Sequence, residues 1–177
     1  MTLPFAIPVI ETDRLTLRAP RESDAPALAD FLSGPRSRFL GGPWPRSYGW
    51  WSVLETIGHW ALRGYGFWSV DVRSATGSAD FVGRVGVNLN EGWSEPELGW
   101  QIFDGHEGHG YAREAALAAR DHAYRVLGLG PLISMIAVEN HRSITLVERL
   151  GAVFERAEAE AEMPFLVYRH PGPEARP

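Results

Sequence analysis

The sequence predicts a single α/β (α+β) domain with a mixed, mostly antiparallel sheet of about seven strands, flanked by about four helices. Three observations lead to this fold class. A chain of 177 residues that is 45% hydrophobic is long enough to fill one core. A strand, a long helix and a second strand follow one another once, between residues 97 and 138, which predicts one parallel pair joined by a right-handed crossover. The other strand-like segments are predicted to pair antiparallel.

The segment before residue 47 predicts one strand, one helix and a loop. Arg14–Ala19 alternates apolar and polar side chains, as a half-buried strand does. Ser23 is the predicted N-cap of a helix with an apolar stripe, and Gly34 with the proline after it ends that helix. Residues 34–46 contain three prolines and three glycines and are predicted to be a loop.

The next segment predicts a helix and a hairpin. The helix from Ser47 to Arg63 contains three tryptophans and ends at Gly64. Phe67–Val72 and Phe81–Asn90 are two predicted strands, and the turn-rich segment Ser74–Ala79 joins them.

The second half of the chain contains the crossover unit and the end of the sheet. Glu97–Phe103 predicts a strand, Tyr111–Leu127 an alanine-rich helix, and the almost wholly apolar Leu132–Val138 a strand buried on both faces. A short helix over Asn140–Leu150 is predicted to end at Gly151. The last predicted elements are two strands and a disordered tail, near residues 152–161, 163–170 and 171–177, so that the core of the domain covers 11–170.

Composition excludes several classes of function. The chain has no cysteine, which excludes disulfides, thiolate metal sites and an acyl-cysteine intermediate. Its formal charge is −5 and it lacks a block of like charge, so nucleic acid is not an expected partner. The absence of a secretory signal and of a long apolar run predicts a cytoplasmic protein with no membrane role.

A glycine-rich turn, Gly105–Ala112, joins a predicted strand to the start of the alanine-rich helix. The N–H groups at a helix N-terminus have no partner within the helix and lie at the positive end of its dipole, so they can bind phosphate. Gly108 and Gly110 allow positive φ and a close approach of the backbone to phosphate oxygens. The turn therefore predicts a phosphate site, and a glycine turn used only for tight packing is the alternative.

The order of residues in this turn selects among the phosphate motifs. The spacing is G-x-x-G-x-G, whereas dinucleotide-binding folds have G-x-G-x-x-G, and a P-loop is impossible because the chain contains no lysine. The remaining motif is the pyrophosphate loop of acyl-CoA transferases, matched by the segment from Glu107 to Ala112. His106 and His109 lack a third ligand at metal-site spacing, so no metal is predicted, and His109 is expected to add positive potential beside phosphate.

Four motifs follow one another along the chain: Glu97-Leu-Gly-Trp100, Gly108-His-Gly-Tyr-Ala-Arg-Glu-Ala115, Glu139-Asn-His-Arg-Ser143-Ile and Arg149-Leu-Gly-Ala152. Together they resemble the GNAT superfamily of acyl-CoA N-acyltransferases, and most closely its RimJ/RimL-like branch of ribosomal-protein N-terminal acetyltransferases. The resemblance extends from about residue 11 to residue 170. Glu107 departs from the Trp, Gln or Arg usual in relatives, and Val147 stands where many members carry a tyrosine general acid.

This resemblance implies the GNAT fold, in which the strands at 97–103 and 132–138 splay apart and admit acetyl-CoA. Pantetheine is expected beside the first of these strands, and the diphosphate on backbone N–H groups of the glycine-rich turn. Asn140 is expected to be the N-cap of its helix, a pantetheine contact, or both. The Glu107 side chain is expected to point to solvent. The expected cofactor-binding residues are Gln101, Ile102, Phe103, Gly108, His109, Gly110, Tyr111, Ala112 and Asn140.

Acetyl transfer requires a neutral amine, a polarised thioester carbonyl and a proton for the departing thiolate. A backbone N–H near Ile102 is expected to hold the carbonyl. Ser143 matches the branch's E-N-x-x-S pattern and is expected to protonate the thiolate, and a serine that only caps the helix is the alternative. Glu97 is the expected general base, directly or through water, and the alternative is a strand residue that faces solvent.

The acceptor site is expected to involve the first two helices, their connecting loop and the late hairpin of the last two predicted strands. Trp44 lies in a Gly/Pro-rich part of this loop and is the candidate acceptor contact, with core packing as the alternative. Glu158, Glu160 and Glu162 share one strand face, which predicts a solvated edge or, alternatively, attraction of a cationic amine.

The sequence thus predicts an acetyl-CoA-dependent N-acetyltransferase that acts on a primary amine by direct attack in a ternary complex. The amine is a protein N-terminus or a small molecule. A non-catalytic acyl-CoA sensor is the alternative, and a nucleotide-binding enzyme is a more distant one. A homodimer is common among similar proteins.

Overall fold

The computed structural model describes residues 6–73, 79–159 and 163–174. The strands are β1 (Ile10–Glu11), β2 (Leu15–Arg18), β3 (Phe67–Arg73), β4 (Ala79–Asn88), β5 (Glu97–Ile102), β6 (Ile133–Ala137), β7 (Val153–Glu158) and β8 (Phe165–Arg169). The α-helices are α1 (Ala25–Ser33), α2 (Tyr48–Arg63), α3 (Tyr111–Arg125) and α4 (His141–Arg149). Most of the predicted turn at 74–79, two of the three strand glutamates (Glu160 and Glu162) and residues 175–177 lie outside the described ranges.

The strands form one sheet in the order β1-β2-β3-β4-β5-β6-β8-β7. All neighbouring strands pair antiparallel except β5 and β6, which are parallel and joined by α3. These two strands pair only at Glu97 and Ile133. The mixed sheet with a splayed central parallel pair is therefore confirmed, and the two-residue β1 brings the number of strands in the described residues to eight rather than seven.

Helices pack against both faces of the sheet. Val85 of β4 is fully buried in a cluster that includes the alanines of α3, whereas the preceding residue, Arg84, contacts Ser52 of α2. Since successive side chains of a strand point to opposite faces, α3 and α2 cover different faces. The small alanines Ala115 and Ala119 let α3 lie close to the sheet.

Several predicted element ends are confirmed by backbone geometry. Gly64 ends α2 and Gly151 follows α4, both with positive φ (75° and 79°) that suits glycine. Asn140 is the N-cap of α4, and its side chain accepts a hydrogen bond from the Ser143 N–H.

Two local predictions were wrong. The N-cap of α1 is Asp24 rather than Ser23, because a short 3₁₀ helix (Glu22–Asp24) precedes α1. The Asp24 carboxylate binds the buried Arg18 guanidinium (2.8 Å), which ties this corner to the sheet. The predicted loop at 34–46 begins with a second 3₁₀ helix, Pro35–Leu40, for which Pro35 supplies a suitable first residue.

Within the described ranges, no helix is both long enough and apolar enough to span a membrane.

Candidate functional site

The backbone of β5 presents free hydrogen-bonding groups to the gap between β5 and β6. The Phe103 N–H donates to the Val82 carbonyl of β4 (2.9 Å), whereas the Leu98 carbonyl points the other way and accepts from Ser134 of β6 (2.6 Å). Backbone direction alternates along a strand, so the N–H groups of Trp100 and Ile102 also face β6. Because β6 has left the ladder at this level, these groups face open space.

Two cavities meet at this gap. The α3 cavity, of about 1110 Å³, is lined by Ile102, the glycine-rich turn, the start of α3 and part of α4. The α2 cavity, of about 800 Å³, is lined by α2, β4, β5 and β6. The residues that line both are Phe39, Leu40, Trp100, Gln101, Asn140 and Ser143. A ligand in one cavity can therefore reach a ligand in the other at Trp100 and Ser143.

The start of α3 offers unpaired N–H groups to the α3 cavity. Gly110 is its N-cap with a φ of 81°, and the first hydrogen bond within the helix runs from Glu114 N–H to the Gly110 carbonyl (3.1 Å). No described residue accepts from the N–H groups of Tyr111, Ala112 or Arg113. Unpaired N–H groups at the positive end of a helix dipole are able to bind an anion.

Arg14 anchors the glycine-rich turn to the rest of the protein. Its guanidinium donates to the His109 carbonyl (2.9 Å) and pairs with Glu114 of α3 (2.7 Å). The exposed His109 ring stacks on Tyr111, with 5.3 Å between ring centroids. The turn is thus held by contacts on its outer side, which leaves its N–H groups open to the cavity.

Glu107 does not point to solvent, and that prediction was wrong. Its carboxylate lies between Arg36 (2.8 Å) and Arg142 (3.2 Å) and accepts from the Gly105 N–H (2.7 Å). Partial burial acts to raise the pKa of Glu107, but hydrogen bonds and the charge of Arg36 outweigh it and lower the pKa. Glu107 therefore remains a carboxylate and positions two arginines on the wall of the α3 cavity.

Trp100 and Ser143 are hydrogen bonded at the junction of the cavities. The Trp100 indole N–H donates to the Ser143 hydroxyl (3.1 Å). The hydroxyl oxygen thus accepts from the indole, and its own proton remains free to donate to a group in the junction. Asn140, and not Ser143, is the N-cap of α4. Ser143 takes part in the cap only through its backbone N–H, which donates to the Asn140 side chain, so its hydroxyl proton remains available for a ligand.

Glu97 lies on the wall of the α2 cavity at the point where β5 and β6 separate. Its Oε1 accepts from the Met135 N–H of β6 (3.0 Å), which leaves Oε2 without a described donor. The surrounding protein raises the pKa of Glu97 to about 7, because burial disfavours the carboxylate more than this one hydrogen bond favours it. A carboxylate with this pKa can accept a proton near neutral pH.

A buried side-chain bridge spans the gap beside Glu97, and sequence reasoning missed it. The Ser134 hydroxyl donates to the Leu98 carbonyl, and His170 Nε2 lies 2.9 Å from the same hydroxyl oxygen. Arg120 donates to His170 Nδ1 (3.2 Å), so the proton of the neutral imidazole is on Nε2. Burial, together with the smaller effect of the Arg120 charge, lowers the pKa of His170 to about 3. This bridge replaces ladder hydrogen bonds between β5 and β6.

Three strand residues are predicted to contact pantetheine: Gln101, Ile102 and Phe103. Of these, only Ile102 has its backbone N–H and carbonyl facing the gap between β5 and β6. Gln101 faces β4, and its Oε1 accepts from Arg84 Nε (2.7 Å). The N–H of Phe103 is occupied by Val82, and its ring packs between Phe31 and Phe81, with centroids 5.6 and 4.9 Å away. Trp100, which was not among the predicted contacts, joins Ile102 as a source of free backbone N–H.

The wall of the α2 cavity opposite the gap is aromatic. Trp44 stacks on Tyr48 at 4.7 Å with 15° between the rings, and both line the cavity. Trp44 also packs against the cluster formed by α1 and α2. It therefore belongs to the cavity wall and to the core at once. Val147 is fully buried, so α4 presents no side chain to the junction at the position where relatives carry tyrosine.

Glu158, His106 and His109 are not among the residues that line both cavities. Glu158 is on the edge strand β7 and pairs with Arg156 (2.9 Å), as expected of a solvated edge. Within residues 6–73, 79–159 and 163–174, no group of three or more His, Asp or Glu side chains is arranged to hold a metal.

Comparison with known proteins identifies relatives over nearly the whole chain. A family model described as an acetyltransferase (GNAT) domain matches residues 14–153. The crystal structure of an acetyltransferase from Agrobacterium tumefaciens str. C58 has a TM-score of 0.83 and 37% identity and covers 97% of this chain and 98% of its own. The uncharacterized N-acetyltransferase YoaA of Bacillus subtilis (strain 168) is 26% identical over 148 residues, 81% of this chain and 82% of its own. RimL, a ribosomal L7/L12 alpha-N-protein acetyltransferase, shares the fold with a TM-score of 0.74 and 18% identity, over 92% and 93% of the two chains.

Proposed function

The chain belongs to the GNAT acetyltransferase family, and from this premise we propose that it transfers an acetyl group from acetyl-CoA to a primary amine. One observation carries the proposal: the cavity with free helix N–H groups and the cavity with Glu97 meet at Trp100 and Ser143. A donor and an acceptor can thus be bound together, as direct attack in a ternary complex requires.

In this proposal acetyl-CoA occupies the α3 cavity. Its diphosphate binds the N–H groups of Tyr111, Ala112 and Arg113, and Arg36 and Arg142 offer guanidinium donors on the same wall. The pantetheine amides pair with the backbone of Ile102 and Trp100 in the gap. The thioester then lies at the junction, and one of these strand N–H groups holds its carbonyl oxygen.

The acceptor amine enters from the α2 cavity. Its nitrogen attacks the thioester carbon, the carbon–sulfur bond breaks, and the nitrogen loses one proton. Glu97, with a pKa of about 7, accepts that proton directly or through water. The departing sulfur takes a proton from the Ser143 hydroxyl, which solvent then restores, so that free coenzyme A and an amide are the products.

The acceptor class is a protein N-terminus or a small-molecule amine. RimL, which shares the fold, is named for the first kind of acceptor. The α2 cavity is bounded by α2, by Trp93 in the turn after β4, and by Met163. A cavity of about 800 Å³ of this kind is also large enough for a whole small amine.

A free-thiol assay with acetyl-CoA and a broad panel of amines tests the proposal. We expect coenzyme A release that depends on the added amine, with the acetylated amine identified by mass spectrometry. Acetyl-CoA binding without release on any amine would overturn the proposal and favour a non-catalytic acyl-CoA sensor. Heat protection by ATP or NAD but not by CoA would instead favour a nucleotide-binding protein.

A further inference from the structure

Arg84 lies on the strand wall of the α2 cavity, beside the junction. Arg84 of β4 is opposite Gln101 of β5, the residue next to Trp100. Its Nε donates to Gln101 Oε1 (2.7 Å), its Nη1 donates to the Ser52 hydroxyl of α2, and the Phe67 ring lies beneath it at 5.4 Å. These three neutral contacts fix the guanidinium in one place.

The guanidinium of Arg84 has no carboxylate partner among the described residues. Of the other fifteen arginines of the described ranges, ten form ion pairs with Asp or Glu within 4.0 Å, whereas Arg84 and five others do not. No described residue accepts from its Nη2 group, which is left to face the cavity. Glu55 of α2 lines the same cavity and acts on Arg84 only at longer range.

A cation that is removed from water without a counter-charge raises the free energy of the folded protein. Burial lowers the pKa of Arg84 to about 10, which reflects the loss of hydration that its neutral hydrogen-bond partners do not fully replace. A carboxylate of the ligand would supply the counter-charge that Arg84 lacks. It would also accept hydrogen bonds from the free guanidinium N–H groups, whose planar arrangement suits the two oxygens of a carboxylate.

The other charged residues of the α2 cavity either form salt bridges within the protein or are suited to bind the amine of the acceptor. Glu95 is paired with Arg169, and Arg156 with Glu155 and Glu158. Glu97 lies farther along β5 and suits the amine rather than an acid. The cavity therefore presents one free cationic site and one carboxylate on the same strand pair.

We propose that the acceptor is an amine that also carries a carboxylate, and that Arg84 binds this carboxylate while the amine lies at the junction. The inference rests on the proposed acetyl transfer and narrows its acceptor class. Trp44 and Tyr48 contact the body of the acceptor, and apolar or aromatic amino acids fit such a wall.

Matched pairs of acceptors test this directly. Each pair has the same body with and without the acid: L-phenylalanine and 2-phenylethylamine, L-leucine and 3-methylbutylamine, L-lysine and 1,5-diaminopentane. The dipeptides Ala-Asp and Ala-Asn, both C-terminally amidated, distinguish an acidic peptide from a free amino acid. We expect kcat/KM to be about 10- to 100-fold higher for the acid of at least one pair, as one charge-assisted contact allows.

The variant Arg84→Gln removes the charge and keeps a polar side chain. We expect it to lower kcat/KM for the acid by about 10- to 100-fold and to change that of the matched amine by less than about threefold. Arg84→Lys should retain part of the preference for the acid over the matched amine, because the lysine ammonium keeps the positive charge but lacks the planar set of guanidinium N–H donors. Arg63→Gln, at the exposed end of α2, is the matched control and should alter neither value. Equal losses for acid and amine, or a wild type that prefers the amines, would overturn the proposal.

A binding measurement separates this inference from the proposed function. With CoA present, 3-phenylpropionate should protect the wild type from heat more than 3-phenylpropionamide does, and Arg84→Gln should abolish the difference. If no amine of the broad panel is acetylated, the acetyl-transfer proposal fails and this comparison alone decides the role of Arg84. Equal protection by acid and amide would overturn that role.

Discussion

The indole N–H of Trp100 donates a 3.1 Å hydrogen bond to the hydroxyl of Ser143. Trp100 belongs to β5 and Ser143 to the first turn of α4, so the bond joins two elements at the junction of the two cavities. The indole fixes the hydroxyl oxygen and leaves its proton for a ligand. The Ser143 hydroxyl is thus positioned to donate its proton to a thioester sulfur bound at the junction.

Replacing Ser143 with alanine removes this donor without touching the anion site at α3. We expect kcat to fall by about 10- to 100-fold and the Kd for CoA to change by less than about threefold, because proton donation acts in the transition state. Trp100→Phe keeps the aromatic body and should give a smaller loss. Steady-state kinetics and calorimetric CoA titration check both variants, and an unchanged kcat in Ser143→Ala would remove this residue from catalysis.

Glu97 should determine the acidic side of the pH profile. Its pKa is raised to about 7 by burial, so below about pH 7 the group is protonated and cannot accept a proton. We expect kcat/KM of the wild type to fall about tenfold per pH unit below this value, in addition to the fall caused by protonation of the acceptor amine. Glu97→Gln keeps an oxygen for the Met135 N–H and should abolish this additional fall while lowering the rate. The exposed Glu91→Gln is the control, and a Glu97→Gln profile parallel to the wild type would contradict the assignment.

A valine at Gly110 should abolish CoA binding. Gly110 has a φ of 81°, which a β-branched residue rarely adopts, so the substitution displaces the N–H groups that follow it. Gly128→Val is the matched control, because Gly128 also has positive φ (65°) but lies beyond the far end of α3 with open space around it. We expect similar losses of stability in the two variants, and a loss of CoA affinity only in Gly110→Val. Equal CoA affinities in calorimetry would count against the anion site.

The buried bridge of Ser134 and His170 should make the fold acid-sensitive. His170 is neutral in the folded protein with a pKa of about 3, whereas an unfolded histidine titrates near 6.5. The unfolded state therefore takes up a proton first, and stability is lost as the pH falls below about 6.5. We expect the wild type to lose about 2 kcal/mol more than His170→Gln between about pH 7.5 and pH 5 in urea unfolding. Identical pH dependences would show that His170 titrates normally.

Much of the fold was predictable because its signals are local. The crossover unit, the alanine-rich helix, the glycine ends of α2 and α4 and the Asn140 cap each follow from neighbouring residues. Serine is a good capping residue and Ser23 is therefore the N-cap that the sequence predicts, but the 3₁₀ turn and the Asp24 contact with Arg18 depend on tertiary structure.

Candidate site residues could be proposed from the sequence only where a motif lies on consecutive residues. The turn from Glu107 to Ala112 could be assigned in this way, but not the partners of Glu107, since Arg36 and Arg142 are distant in sequence. The same holds for Arg84 and for the contact between Ser134 and His170, which the pairing of separate strands creates. No local pattern distinguishes these residues from ordinary strand residues.

A crystal structure of the protein with bound CoA is the most direct test of the central claim. We expect diphosphate oxygens within hydrogen-bonding distance, about 3 Å, of the N–H groups of Tyr111 and Ala112. The sulfur should lie between Trp100 and Ser143, at the mouth of the α2 cavity. CoA bound elsewhere, or bound with its sulfur away from the gap between β5 and β6, would contradict the account.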